Sequence, residues 1–323
     1  MKAAIYEIYG GPEVVRVAEV PMPEPTRHEV RVEIHATTVS SGDWRMRSKE
    51  VPPSFRLIAP LIFGKRPKKR ILGTELAGRI HSVGDGVTRW RAGDAVFAYP
   101  GSHLGAHAEY ICMPEDGRIA KKPDNLSFTE AAALCFGGST ALSFIERADG
   151  IRANEHVLIV GATGTVGSAM LQLAKLFGAK VTVVCSTPNR ELAVSLGADD
   201  IIDYTKEDFT KRAERYDVIV DNTGTAPVSR CKQVLRRGGR ILIVNGSLPD
   251  MVRSAIPIGT KVVAGPANED VAHLPRLAQW AEEGRYKPLI DSIFPFEQIV
   301  DAHRRVDTGH KRGSVVVSVR SPS

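Results

Sequence analysis

The stretch "HVLIVGATGTVGSAMLQLAKLFGA" (His156–Ala179) limits the possible folds more than any other part of the chain. A continuous apolar run passes through clustered glycines into an apolar-periodic segment, the pattern of a buried strand that turns sharply into an amphipathic helix. Read as G-x-G-x-x-G, the turn carries Ala162 in place of the first glycine, followed by Gly164 and Gly167. Gly164 lets the backbone approach a pyrophosphate, and Gly167 lets helix and strand pack closely. The amides of Thr165 and Val166 open the helix, where the macrodipole favours an anion. The unit predicts a dinucleotide cradle built from Ala162, Gly164, Thr165, Val166 and Gly167.

The same texture continues downstream. Candidate strands "HVLIV", "KVTVVC", "DIIDY", "DVIVD", "RILIV" and "KVVAG" alternate with helical stretches, which predicts a parallel sheet covered on both faces. Upstream, short alternating runs such as "KAAIY", "VVRVAEV" and "EVRVEIHATTV" lie between Gly and Pro clusters and predict strands and turns. Ser127, with Glu130 three residues on, forms a capping-box pattern ahead of "AAALCFGGSTALSFI". The predicted class is α/β, with a β-rich domain over residues 1–122, to which 286–323 return, and a doubly wound dinucleotide-binding domain over 123–285. A single continuous α/β domain is the plainer alternative.

Cofactor choice turns on "VCSTPNR" (Val184–Arg190), which ends the second strand of that domain. An acid there binds the ribose hydroxyls of NAD and repels a 2′-phosphate. Here the place falls at or beside neutral Cys185; Ser186 and Thr187 offer hydroxyls, and Arg190 offers a fork of N–H donors matched to phosphate. The expected cofactor is NADPH. Arg190 as an ordinary solvated residue of the next helix is the competing reading.

A glycine-rich turn also opens short-chain reductases, which need Tyr-x-x-x-Lys for proton transfer. None of the seven tyrosines here has a lysine four residues on. The net charge of +6 admits an anionic partner, and a dinucleotide satisfies it as well as nucleic acid does. "KRPKKR" (Lys65–Arg70) matches a nucleic-acid patch by composition, but proline-flanked and running into a core strand it reads as a solvated loop. The four cysteines share no spaced framework, the start shows no secretory leader, and "LIAPLIF" falls far short of the ~20 residues that span a bilayer. Together these predict a cytoplasmic protein with neither a membrane nor a nucleic-acid partner.

Several stretches carry a family resemblance: "ATTVSSGDWRMR", "ILGTELAGRIHSVGDGVTRWRAGDAVF", "GAHAEYICMPEDG", "SLGADDIIDYTKEDF", "YDVIVDNTG" and "FEQIVDAHRRVDTGHKRGSVVV". With the mid-chain glycine turn, the whole chain resembles the medium-chain dehydrogenase/reductase superfamily, in particular its zinc-free quinone oxidoreductase-like branch. The resemblance implies a GroES-like catalytic domain, a Rossmann cofactor domain and a homodimer. By motif carry-over, Ser40 stands where many zinc-free relatives have an Asn facing the nicotinamide, and it is the expected donor to a substrate oxygen. Asp43 matches the motif's aspartate, with catalytic and loop-fixing roles both open. Arg47 matches a frequent arginine, and Arg45 lies where some relatives have tyrosine. Thr140, Asn245 and Gly246 are expected near the nicotinamide, Tyr204 beside the adenosine phosphate, and Asn222 and Thr223 along the ribose. Where many relatives end in Gly-Lys, this chain has Gly313-Ser314.

The resemblance also makes departures informative. Zinc-dependent relatives have Cys and His ligands where this chain has Ser40 and Thr74, and a third cysteine near Phe136, one residue from Cys135. His103 and His107 lie four apart in a glycine-broken loop. A catalytic zinc brings bound water from about 15.7 to about 7, help that alcohol oxidation needs and that reduction of an electrophilic C=C or quinone does not. The expected activity is therefore NADPH-dependent reduction of quinones or α,β-unsaturated carbonyls without a metal. A zinc-independent alcohol or carbonyl dehydrogenase and a non-catalytic NADPH-binding protein are the alternatives. Residues 48–70 read as an insertion whose Phe55 and Phe63, with Trp44 upstream, either roof an apolar substrate pocket or simply pack.

Overall fold

The computed structural model describes residues 1–320 except residue 52, residues 56–62 and residues 257–258, so part of the insertion lies outside the described residues. The chain divides into two compact units, with borders at Phe136/Gly137 and Glu269/Asp270; the short Pro53–Phe55 turn goes with the second unit. The sequence reading draws these borders at 122/123 and 285/286. The difference lies in two helices. Phe128–Ala132 packs on the strands Glu29–Val39 and Leu76–Val83, and His273–Glu282 packs on Ile119–Lys121, so both are carried with the first unit.

In the first unit, β1 (Lys2–Ile5) and β2 (Arg16–Glu19) form an antiparallel ribbon. The main sheet has seven strands: β3 (Glu29–Val39), β4 (Leu76–Val83), β5 (Ala95–Ala98), β6 (Tyr110–Pro114), β7 (Ile119–Lys121), β14 (Ile290–Pro295) and β15 (Ser314–Ser318). Their order is β14-β15-β3-β4-β5-β7, with β6 also on β3; only the β14–β15 pair is parallel. The alternation of β3 is a half-buried pattern made real. Val30, Val32, Ile34 and Ala36 point into the unit, and the first three pack with Leu76, Ile80, Val96 and Ile119. Helix Ile299–Asp307 seals another cluster with Ile299, Ala302 and Val306 against Val39, Val315 and Val317.

The second unit holds a six-stranded sheet, all of its pairs parallel. It is made of β8 (His156–Val160), β9 (Lys180–Cys185), β10 (Asp200–Asp203), β11 (Tyr216–Asp221), β12 (Leu235–Ile243) and β13 (Lys261–Ala264). The order β10-β9-β8-β11-β12-β13 is the doubly wound one. It reverses direction between β8 and β11, and ligands bind such folds outside the carboxyl ends of the strands at that switch. All of β8 is buried, as a strand covered on both faces must be.

The Ser127–Glu130 capping box forms: Ser127 Oγ accepts the Glu130 amide at 3.2 Å and the Glu130 carboxylate accepts the Ser127 amide at 2.9 Å. The helix behind it is broken, however, into Phe128–Ala132 and Cys135–Arg147. At the break the Phe136 amide donates to the Glu75 carboxylate instead of closing a helical turn. The span Phe128–Arg147 is apolar and long enough to cross a membrane, yet most of it is buried inside the protein, as a core helix would be.

Candidate functional site

The phosphate turn of the second unit is shaped by three glycines with different duties. Gly161 takes φ +75°, and a Cβ there would lie 2.5 Å from Thr223 Cγ2. The tight-turn glycine is thus Gly161, one position before the expected one, which is why buried Ala162 is tolerated next to it. A Cβ on Gly167 would strike the Gly161 carbonyl at 2.1 Å, so helix and turn touch backbone to backbone. Gly164 is the N-cap of helix Thr165–Leu176 and caps it with no side chain; a Cβ there would meet only the Gly161 oxygen, at 3.9 Å. That open, side-chain-free helix start, ahead of Thr165 and Val166, is the shape an anion needs. Thr140 belongs to the same neighbourhood: three residues earlier in its helix, Gly137 sits so close to Thr165 that a Cβ would lie 2.7 Å from its carbonyl.

At the end of β9 the expected hydroxyl-and-guanidinium cradle is only partly free. Ser186 Oγ accepts the Asn189 amide at 3.2 Å and keeps its own proton. The Thr187 hydroxyl instead donates to Asp203, which stands opposite Cys185 in the β9–β10 register. Asp203 also accepts the Thr205 amide at 3.1 Å and its hydroxyl at 2.7 Å, and these donors hold its carboxyl down at about 2. An acid is therefore present at this edge after all, supplied by the neighbouring strand. It is buried and occupied rather than turned to a ribose. Arg190 opens the next helix, exposed, and no hydrogen bond or ion pair holds its guanidinium among the described residues. Tyr204 lies 62% exposed just past β10, its amide donating to the Cys185 carbonyl at 3.1 Å.

The ends of β11 and β12 complete the edge. Asn222 donates through Nδ2 to the Val160 carbonyl at 3.0 Å and leaves its buried Oδ1 without a partner among the described residues. Asn245 Nδ2 donates to the Thr223 carbonyl at 3.2 Å, and Gly246 follows, tight against Ala264. Sequence reasoning missed Asp221, whose carboxylate collects the amides of Thr223, Gly224 and Ala226 at 2.8–2.9 Å and so folds the whole Asn222–Ala226 loop. Its only sequence signal is an acid closing an apolar strand. An uncapped helix start, an uncommitted Arg190 and an orphaned Asn222 oxygen fit a phosphorylated dinucleotide.

In the first unit, Ser40 and Asp43 form the N-terminal capping box of helix Ser41–Ser48. Ser40 Oγ donates to Asp43 Oδ2 at 2.6 Å, and the Ser40 amide reaches the same oxygen at 2.8 Å. Asp43 Oδ1 accepts the Gly73 amide at 2.8 Å. Two residues on, buried Glu75 accepts the Thr38 hydroxyl and, at 2.5 Å, the Phe136 amide. Residues 40 and 73 are thus tied to Asp43, and residues 38 and 136 to Glu75, on either side of position 74. Burial pushes the Glu75 carboxyl up to about 7, against the pull of its two donors and of Lys311. Burial likewise drives the Cys135 thiol well above its usual range, and its Sγ faces the Ala98 carbonyl at 3.5 Å.

The other singled-out residues have structural duties. Arg47 is wholly buried and reaches Asp307 with one nitrogen at 2.7 and 2.6 Å. Buried His107 engages the Thr38 carbonyl at 2.9 Å, while His103 is exposed, so the two are not a ligand pair. Phe63 meets Tyr9 edge to face at 6.1 Å, Trp44 joins the cluster under Ile299–Asp307, and Phe55 falls in the other unit. In "KRPKKR", Arg70 pairs with Glu7.

Two family descriptions match the chain: "Alcohol dehydrogenase GroES-like domain" over residues 26–124 and "Zinc-binding dehydrogenase" over residues 196–317. A 2-methylene-furan-3-one reductase of Solanum lycopersicum is 33% identical over 98% of this chain and 79% of its own length. An NADPH-dependent alkenal/one oxidoreductase of Arabidopsis thaliana, chloroplastic, is 31% identical over the same shares. The solved quinone oxidoreductase from Coxiella burnetii superposes with a TM-score of 0.87 at 27% identity, covering 99% of both chains.

Proposed function

Because the chain belongs to the medium-chain dehydrogenase/reductase superfamily, in its quinone oxidoreductase-like branch, we propose that it is an NADPH-dependent reductase of quinones or α,β-unsaturated carbonyls. One observation carries the cofactor choice: the Arg190 guanidinium stands uncommitted at the edge where an acid would favour NAD. When bound, the nicotinamide supplies a hydride to an electrophilic carbon. The chain's own part is binding and orientation. The start of helix Thr165–Leu176 holds the pyrophosphate, Arg190 and the Ser186 hydroxyl take the 2′-phosphate, and the Asp221-folded loop lines the ribose.

A zinc step is no part of this reading. Structural and catalytic zinc sites use thiolate, imidazole or carboxylate ligands. Positions 40 and 74 offer hydroxyls, one of them bound to Asp43, and Cys135 is a buried thiol with its pKa raised. The reading extends to a homodimer, implied by the family resemblance, and to a reducing, cytoplasmic setting that suits four separate free cysteines.

The test follows NADPH consumption with a quinone, an enone and a saturated ketone, alongside titrations of NADPH and NADH. Turnover of the quinone or enone well above the ketone, with NADPH bound more tightly than NADH, is the expected result. Turnover of the saturated ketone alone, or equal affinity for the two dinucleotides, would overturn it.

A further inference from the structure

We infer that the Thr74 hydroxyl is the hydrogen-bond donor to the substrate's carbonyl oxygen; this rests on the reductase reading above. The expected donor was Ser40, but its proton goes to Asp43 Oδ2 at 2.6 Å and its lone pair takes the Asp43 amide at 3.2 Å. A serine committed in both directions has nothing left to give an oxyanion. Thr74 follows Gly73, whose amide Asp43 also holds, and is the opposite case. It is 6% exposed, and its Oγ1 is buried with no partner among the described residues. Leaving a hydroxyl buried and unmatched forfeits its hydration, so such a group marks a place where a ligand or water completes the bonding.

The backbone that carries the hydroxyl is also held in place before anything binds. On one side the Gly73 amide is tied to Asp43, and Gly73 takes φ +96°, with so little room that a Cβ would lie 2.5 Å from the His107 nitrogen. Thr74's own carbonyl accepts the Gly101 amide at 3.0 Å. On the other side Glu75 is anchored by Thr38 and Phe136, and the Thr37 hydroxyl donates to the Glu75 carbonyl at 2.7 Å. A donor fixed from both flanks needs no reorganisation when charge develops, which is what makes such donors effective.

The chemistry calls for one. When hydride reaches the β-carbon of an enone, the C=C π pair shifts and negative charge gathers on the carbonyl oxygen. The enolate then takes a proton from solvent at its α-carbon, giving the saturated ketone and leaving the dinucleotide oxidised. Thr74 donates to the oxygen throughout and gives up no proton.

Three variants test this in the full chain: Thr74→Val, Thr74→Ala and Thr74→Ser, each checked for unchanged thermal stability and NADPH affinity. Val and Ala should lower kcat on an enone by roughly 10²-fold with little change in KM, the scale of losing one oxyanion donor. Ser should recover most of that loss. Binding gives a second readout: a phenolate, which mimics the enolate oxygen and has no C=C to reduce, should bind at least tenfold more weakly to the Val and Ala variants than to Ser. If Val proves unstable, the Ala–Ser comparison decides alone. Equal kcat and equal phenolate affinity across the variants overturns the Thr74 role while leaving the reductase reading intact. An inactive parent protein would strike the reductase reading itself, and with it this inference.

Discussion

The Thr187 hydroxyl donates a hydrogen bond to the Asp203 carboxylate across the paired ends of β9 and β10, where Asp203 faces Cys185. That bond ties together two loops of the cofactor edge, one carrying Ser186 and the other Tyr204. It also commits the Thr187 proton, so in the proposed reading Arg190 and Ser186 are the donors left for a 2′-phosphate.

Arg190→Ala should therefore weaken NADPH binding by roughly tenfold or more, as loss of a charge-assisted bond does, and leave NADH affinity unchanged. Thr187→Val should leave the NADPH/NADH ratio within about threefold, while lowering the melting temperature because Asp203 loses a donor. Calorimetric titration of both dinucleotides decides. A larger shift of the ratio for Thr187→Val than for Arg190→Ala would reverse the assignment.

The turn glycines should separate stability from binding. Gly164→Ala meets nothing closer than 3.9 Å and should fold like the parent, yet bind NADPH more weakly because its methyl occupies the open face. Gly167→Ala drives a methyl to 2.1 Å from the Gly161 oxygen and should cost on the order of 3 kcal/mol or more in stability. Denaturant melts and NADPH titrations of the pair provide the check. Equal stability of the two variants would contradict the packing.

Glu75 and Lys311 should carve a trough into the pH–stability curve. Burial lifts Glu75 from 4.5 to about 7, so between those values the native state holds a proton that the unfolded chain releases, and stability falls as pH rises. Burial lowers Lys311 from 10.5 to about 8, so above about 8 the native state sheds a proton that the unfolded chain keeps, and stability climbs again. Asp43, Tyr286 and Cys135 face Glu75, and Asp291 and Arg305 act on Lys311, so all five belong to the same field. Denaturation midpoints from pH 4 to 10 should show the lowest contribution between about 7 and 8. Glu75→Gln should erase the falling limb and Lys311→Met the rising one; limbs unchanged in those variants would rule the pair out.

Arg47 and Asp307 lie 260 residues apart and fasten helix Ser41–Ser48 to helix Ile299–Asp307. Arg47→Met should cost roughly 2–4 kcal/mol, because it strands a carboxylate whose partner was fully buried. The double change Arg47→Met with Asp307→Leu should recover part of that. Calorimetric melting of the three proteins tests it, and a double variant less stable than the single would argue against the ion-pair account.

The elements that local pattern controls could be read directly. The apolar runs of the parallel sheet and the capping box at Ser127 stand where the residues put them, although β12 begins at Leu235, ahead of its apolar run. The strand β14 escaped because "IDSIFP" is half exposed and is held by backbone pairing with β15 and by Phe294 packing on a core cluster. The break after Ala132 escaped because its cause is Glu75, 61 residues earlier.

The site divides along the same line. From residue order alone came the glycine turn, the missing acid at the end of β9 and the presence of Arg190. These depend on backbone freedom, periodicity and charge, which act over a few neighbouring positions. Which hydroxyls remain free was decided only when strands were set side by side. Asp203 claims Thr187, Asp43 claims Ser40, and Thr74 is left unclaimed among the described residues. A hydrogen bond lasts only within about 3 Å, and no local rule says which distant carboxylate folding will bring that close.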